Sequence, residues 1–320
     1  MWSTQGVERL VIANDARRGS ATPLALVSVV MPNYNKEQFI LLAIQSVLQQ
    51  TFRDFELVIV DDGSTDNSLA IIKEVAKTDG RIKVLTNAAN VGPSFTLNKA
   101  MNAATGQYIC FIDSDDVFRP ERLERMVDAL KERPGYIAYT DIFLIDKDGE
   151  VIRNSYLGSM GSTPEGDAYA YALSEWVQGL ATMMIPATAT QEVGHFDESL
   201  SWGEDFDYVL RLTERYKVAL VREPLYGYRR HASSMSALTS IKSKGEAYCR
   251  ILESNLERNW GNLDERTKFR TIRRIQRTAK ESHIRSKYLK WWINPTFLRV
   301  ASKRLVGGRK GSVKPPSSAS

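Results

Sequence analysis

The residues best able to do chemistry sit just behind short apolar runs. LVSVVM (residues 26–31) is followed by Pro32, Asn33, Tyr34 and Asn35; FELVIV (55–60) by Asp61 and Asp62; YICFI (108–112) by Asp113, Ser114, Asp115 and Asp116. Such β-branched runs read as buried parallel strands, and ligands of a parallel α/β sheet lie beyond the carboxyl ends of its strands. Aromatic, amide and carboxylate groups thus converge on one rim. Carboxylates crowded there repel one another unless a cation is present, and hard divalent ions take oxygen ligands. Such an ion is commonly held by one or two carboxylates plus substrate phosphates, so the pattern suggests a nucleoside diphosphate bound through its metal. Three carboxylates among four residues at 113–116 exceed what a helix cap can use. Asp66 and Asn67 read as turn and cap residues, and Asp61-Asp62-Gly63-Ser64 lies between the two cases.

Alternating elements must position these groups. From Lys36, the apolar positions Phe39, Leu42, Ala43 and Val47 follow the helical period. A second helix runs through Leu69, Ile72, Val75 and Ala76, IKVL (82–85) is a third strand, and a helix follows Pro93. RPERLERMVDALKER (119–133) carries Leu123, Met126, Val127 and Leu130 at helical spacing, with Pro120 at its start. The alternation predicts βαβ units and a mostly parallel sheet covered on both faces. Beyond residue 134 it weakens. Lys147-Asp148-Gly149 predicts a hairpin turn, residues 156–175 a mobile Gly/Ser/Tyr-rich loop, and Ala181–Ile185 a strand. Phe206, Val209, Leu210 and Thr213 mark another helix, and VALVREPLYGYRRH (218–231) a last strand.

The chain has 320 residues, 43% hydrophobic and 25% charged, which excludes wholesale disorder. Its net charge of +5 hides an asymmetry. Residues 1–239 hold 23 basic and 32 acidic side chains (−9), and residues 240–320 hold 20 against 6 (+14). Two cysteines, Cys110 and Cys249, build no disulfide framework, no apolar run reaches bilayer length, and no secretion signal is seen. A cytoplasmic protein is expected, with the option of docking at the inner membrane face.

PNYN, LVIVDDGSTDNS, NVG, ATGQYICFIDSDD, GHFDESLSWGEDFDYVLRL and YRRH, in this order and spacing, resemble the family 2 glycosyltransferases of the GT-A fold over roughly residues 26–235. The resemblance implies a Rossmann-like sheet and inverting transfer of a sugar from a nucleotide-sugar donor to an acceptor hydroxyl, with Mn2+ or Mg2+ as cofactor. Carried over residue by residue, it puts Pro32 and Tyr34 beside the donor base and has Asp62 accept from the N3–H of uracil or thymine. It makes Asp113-Ser114-Asp115 the DxD signature, Asp115 ligating metal and Asp113 contacting the ribose or a metal-bound water. Asp205 becomes the general base, Trp202 and Glu204 face the acceptor, and Arg229 joins the donor site. His231 contacts the metal or the leaving diphosphate. One departure is visible: the Arg that many members carry after Asn-x-Gly is missing from Ser94–Asn98, leaving Lys99 or Arg229 to substitute.

The implied organisation is an N-terminal arm (1–23), a GT-A domain (24–239) with a nucleotide-binding half (24–133) and an acceptor half (134–239), a basic helical extension (240–306), and a disordered tail (307–320). The expected partners are a UDP- or dTDP-sugar and a glycan or lipid-linked acceptor. In the extension, Lys287 to Ile293 and the apolar residues through Val306 interleave aromatics with cations. This predicts either contact with an anionic membrane or packing on the body or on a second subunit. Two other readings remain: a nucleotidyltransferase, which lacks its Gly-rich phosphate loop here, and a non-catalytic protein binding sugar nucleotides or nucleic acid, although no nucleic-acid module is recognised.

Overall fold

The computed structural model describes residues 25–157, 164–175 and 179–295. Its nine strands are β1 (Val27–Asn33), β2 (Phe55–Asp61), β3 (Ile82–Thr86), β4 (Tyr108–Phe111), β5 (Val117–Phe118), β6 (Tyr136–Ile145), β7 (Val151–Arg153), β8 (Met183–Pro186) and β9 (Lys217–Arg229). The main helices are α1 (Ile40–Leu48), α2 (Ser68–Ala76), α3 (Pro93–Ala103), α4 (Arg122–Glu132), α5 (Tyr169–Ser174), α6 (Glu204–Arg215), α7 (Ile241–Arg258) and α8 (Glu265–Glu281). One sheet has the order β3-β2-β1-β4-β8-β6-β9-β5, with β7 paired to β6. β3, β2, β1 and β4 are mutually parallel, as are β6 and β9, while β8 and β5 enter antiparallel. Chain order reverses between β2 and β4 around β1, and such a switch point opens a crevice at the strands' carboxyl ends.

Strand alternation sorts the core onto two faces. Val30, Val58, Val60, Ile109 and Phe111 pack on one side with α3, α6, α7 and α8. Val29, Met31, Leu57, Ile59 and Cys110 pack on the other with α1, α2 and α4. α1 begins at Ile40 rather than Lys36, because the Lys36 and Glu37 N–H groups donate to Ser68 Oγ and Asp66 Oδ2 on the neighbouring loop. α4 likewise starts two residues after Pro120.

Three expectations need correction. Part of the predicted 156–175 loop is α5, whose Ala172 and Leu173 are fully buried. Its carbonyls are held by Arg274 of α8, a contact that composition could not signal. The strand expected at Ala181–Ile185 begins at Met183, after a 3-10 turn at Leu180–Thr182. The described part of the basic extension is not a separate body. Cys249, Leu252, Leu256, Ile272 and Ile275 belong to the same core as Phe206 and Leu210. Of the placements expected for the extension's aromatics, Tyr288 and Trp291 take the one that packs on the body. Trp291 is 4% exposed, and its Nε1 donates to Glu253. The N-terminal arm and residues 296–320 lie outside the described residues, and among the described residues no helix is long and apolar enough to cross a membrane.

Because α7 and α8 complete one core, truncation after residue 239 should expose that face of the sheet. The truncated protein is expected to lose cooperative thermal unfolding and to aggregate. A truncated chain that melts in one sharp transition near the full-length Tm would show that the extension is dispensable.

Candidate active site

The crevice beyond β1, β2 and β4 is built from loops that tie one another down. Asn33 Nδ2 donates to Asp61 Oδ1 at 2.8 Å, Asn35 N to Ser64 Oγ at 3.0 Å, and Thr65 N to Asn35 Oδ1 at 2.8 Å. Gly63 lies at φ 68°, and a Cβ there would sit 2.7 Å from the Ala89 backbone, so a side chain is excluded twice over. Tyr34 stands 40% exposed on the rim beside half-buried Pro32.

Asp62 is buried and heavily used. Oδ1 accepts from Asn87 Nδ2 and Val91 N, and Oδ2 from Gly92 N. The carboxylate therefore shapes the 87–92 segment, and lone-pair capacity remains on Oδ2. Lys99 donates to Thr86 O and Asn87 Oδ1 on that same wall.

The loop after β4 is locked by residues more than a hundred positions away. β5 pairs with β9, which brings Tyr226 and Arg229 behind the acidic segment. Tyr226 Oη accepts from Asp113 N at 3.3 Å and donates to Asp116 Oδ2 at 2.6 Å, while Arg229 N donates to Asp116 Oδ1 at 2.7 Å. Asp116 is thus a buried anchor whose pKa burial, Asp115 and Asp113 push well up. Arg229 is placed differently from the expectation. It is 2% exposed, and its guanidinium donates to the carbonyls of Asp115, Asp146 and Lys147, so it positions the loop from behind. Ser114 is buried between its neighbours.

Asp115 faces an ammonium and an imidazole. Lys36 Nζ lies 2.7 Å from Oδ2 and His231 Nε2 2.9 Å from the same oxygen. His231 is fixed by Phe39, with ring centroids 4.6 Å apart, and by Ser233 Oγ at 2.9 Å. Burial raises the Asp115 pKa, but His231 and Lys36 outweigh it and hold the group below its usual value. Asp113 has no such partner. Burial, then Asp115 and Asp205, push it up to about 7, although Lys36 draws it down. That mutual repulsion places Asp205, from the amino end of α6, across the same crevice.

α6 starts at Gly203, whose φ of 81° few side chains would accept. Asp205 is half-buried, its Oδ1 accepts from Phe206 N, and its pKa is raised chiefly by burial. Glu204 is 6% exposed with Oε2 unpartnered, and burial followed by Asp205 pushes it up to about 8. Its burial takes it off the open acceptor face expected for it. Trp202 is half-buried with Nε1 unpartnered, and Lys244 Nζ covers its ring at 5.3 Å.

Among the described residues no three His, Cys, Asp or Glu side chains converge into a ready metal cage. The donor set nevertheless fits a hard cation. Asp115 already gathers positive charge on one oxygen and Asp113 is uncompensated, so an ion taking its remaining ligands from a diphosphate suits them. Lys36 and Tyr226 were missed as site residues, and Asp116, read as part of the acidic cluster, serves as its anchor. Lys36 directly follows the PNYN segment, but nothing in one sequence says it reaches Asp115.

A protein of Methanocaldococcus jannaschii, described as an uncharacterized glycosyltransferase, is 31% identical over 212 residues, covering 64% of this chain and 70% of that one. The family profile named Glycosyl transferase family 2 matches residues 28–185. The chain belongs to that family. A second relative, a putative teichuronic acid biosynthesis glycosyltransferase of Bacillus subtilis, is 34% identical over 168 residues, 52% of this chain and 65% of its own length. The chain thus spans about two thirds of these curated relatives. The crystal structure of S. aureus TarS 1-349 in complex with UDP-GlcNAc superposes with a TM-score of 0.59 at 19% identity, covering 88% of this chain and 92% of that one. That likeness carries the fold, which is the expected GT-A type.

Glu204 offers a clean pH readout. Its folded pKa lies above the ordinary carboxyl value, so the folded state holds its proton more tightly than the unfolded chain does. The stability this contributes is full below about pH 4.5 and is lost as pH rises through about 8. Glu204→Gln should therefore raise Tm over wild type increasingly between pH 5 and pH 8.5 in EDTA. A pH-independent Tm difference would show that Glu204 is not held protonated.

Proposed function

We propose that the chain transfers a sugar, with inversion, from a uridine or thymidine diphosphate donor to a hydroxyl of a glycan or lipid-linked acceptor. One observation carries the reading. Asp113 and Asp115 at the end of β4 share a crevice with Asp205 at the start of α6, although about ninety residues separate them. Tyr34 would take the base on the open rim, and the free capacity of Asp62 Oδ2 would meet the N3–H.

Asp205 accepts the acceptor's hydroxyl proton as that oxygen bonds to C1. The C1–O bond to the diphosphate breaks, and its electron pair leaves with the phosphate oxygen. Burial raises the proton affinity of Asp205, which suits a base working near neutral pH. Mn2+ or Mg2+ held by Asp115, with Asp113 and His231 beside it, would neutralise the departing diphosphate. Lys36 already lies on Asp115 and adds a second positive charge to that side.

The test is release of nucleoside diphosphate from a panel of UDP-, dTDP- and GDP-sugars with Mn2+. Asp115→Ala should abolish turnover and metal-dependent UDP binding while the fold persists. Full activity in that variant, or in EDTA, would overturn the metal assignment. Asp205→Asn should keep UDP affinity and lose roughly 10²–10⁴-fold in transfer. Near-normal turnover would remove Asp205 as the base.

Asp62→Ala should weaken UDP binding roughly tenfold or more, since a buried N3–H loses its acceptor and the 87–92 wall loses its anchor. Calorimetry showing GDP bound more tightly than UDP and dTDP would contradict the base assignment.

A further inference from the structure

Away from the acidic rim, a cavity of about 710 Å3 opens between the end of α5 and one face of α8. Its size suits a small ligand or a single substituent of a larger one. Five cationic side chains line it, Arg270, Arg273, Arg274, Arg277 and Lys280, against two carboxylates, Glu175 and Glu281. Glu175 is committed to Arg270 at 3.6 Å. Arg273, Arg277 and Lys280 are exposed and form no ion pair among the described residues. Spaced at i, i+4 and i+7, they make one stripe on α8. Like charges in such a row oppose one another, and a helix facing only water gains nothing from the arrangement.

The wall behind the stripe is rigid. Arg274 is 9% exposed, donates to Ala172 O at 2.7 Å and Leu173 O at 3.1 Å, and lies 4.9 Å over the ring of Phe206. Phe206 directly follows Asp205 in α6. The cavity is also close to the base along the chain. Ser174 lines it, and Gly179, five residues on, approaches Asp205 so closely that an added Cβ would stand 3.6 Å from Oδ2. Five residues span at most about 19 Å, roughly the length of a few sugar or phosphate units.

We propose that this cavity is a subsite for a phosphate group carried by the acceptor, gripped by Arg273, Arg277 and Lys280 while the acceptor hydroxyl reaches Asp205. The inference rests on the glycosyl-transfer reading above. Arginine forks pair bidentately with phosphate oxygens, which makes this lining better suited to phosphate than to a neutral sugar. The donor diphosphate belongs to the other rim, at the ends of β1, β2 and β4. The cations line a concavity rather than a flat amphipathic face, which favours a discrete group over a lipid surface.

The test uses the full chain in EDTA, so that the acidic rim does not recruit diphosphate through a metal, with inorganic pyrophosphate as the probe. Calorimetry should give saturable binding that persists in Asp115→Ala and weakens at least tenfold in Arg273→Glu/Arg277→Glu. Both substituted positions are exposed, so circular dichroism should show the fold intact. Binding that is equal in wild type and the double variant, or absent in wild type, would overturn the subsite. Binding to phosphatidylglycerol vesicles without any to pyrophosphate would overturn it in favour of a membrane surface. In turnover assays with phosphorylated and unphosphorylated forms of each candidate acceptor, the double variant should raise KM for the phosphorylated form only. An equal rise for both forms would refute an acceptor role. If no acceptor is turned over, the transfer reading fails while the pyrophosphate result still decides the anion site.

Discussion

Negative charge confined beneath a partly closed crevice is the constraint around which the rest of the molecule is arranged. Asp113, Asp115, Asp116, Glu204 and Asp205 interact electrostatically with one another at the carboxyl edge of the sheet, where burial strips them of water. Each carboxylate solves the problem differently. Asp115 takes Lys36 and His231, Asp116 takes a phenol and a backbone amide, and for Glu204, Asp113 and Asp205 burial raises the pKa instead. The residual repulsion costs stability in the metal-free chain and favours any ligand that brings positive charge.

That arrangement dictates how the two halves interlock. The β4–β5 segment leaves the N-terminal half of the sheet and pairs with β9 of the later half, so the acidic loop is clamped from behind by Tyr226 and Arg229. Arg122 strengthens the same seam. Fully buried, it lies 4.0 Å over Phe118 and 5.2 Å over Tyr226, and it donates to Ala181 O and Cys110 Sγ. A buried cation with all-neutral hydrogen-bond partners is tolerable where aromatic faces compensate it.

The C-terminal helices complete the core around α6 rather than decorate it. α7 and α8 bury one face in the core shared with α6, and Arg274 joins α8 both to α5 and to the helix that carries Asp205. The strongly basic character of this region is thereby split. Part of it is paired internally, as with Lys290 and Glu253 or Glu257, and part lines the cavity beside α5.

Much of this was legible in residue order alone. Strand and helix periods, the Gly63 and Gly203 turns, and the clustering of carboxylates behind β2 and β4 follow from local rules, because backbone sterics, amphipathic period and strand polarity act over a few residues. The candidate site was legible to the extent that Asp113, Asp115 and Asp205 lie in recognisable segments. What single-sequence reading could not reach depended on contacts between distant segments. The family resemblance made Arg229 a donor contact, yet its guanidinium is buried against three carbonyls. Lys36 looked like a helix start, yet the loop geometry delivers its amine to Asp115. Tyr288 and Trp291 carried an interfacial pattern, but that same pattern also suits a face that packs on protein. Which partner an apolar or charged face meets is decided by where the chain returns in space, and only the tertiary structure holds that information.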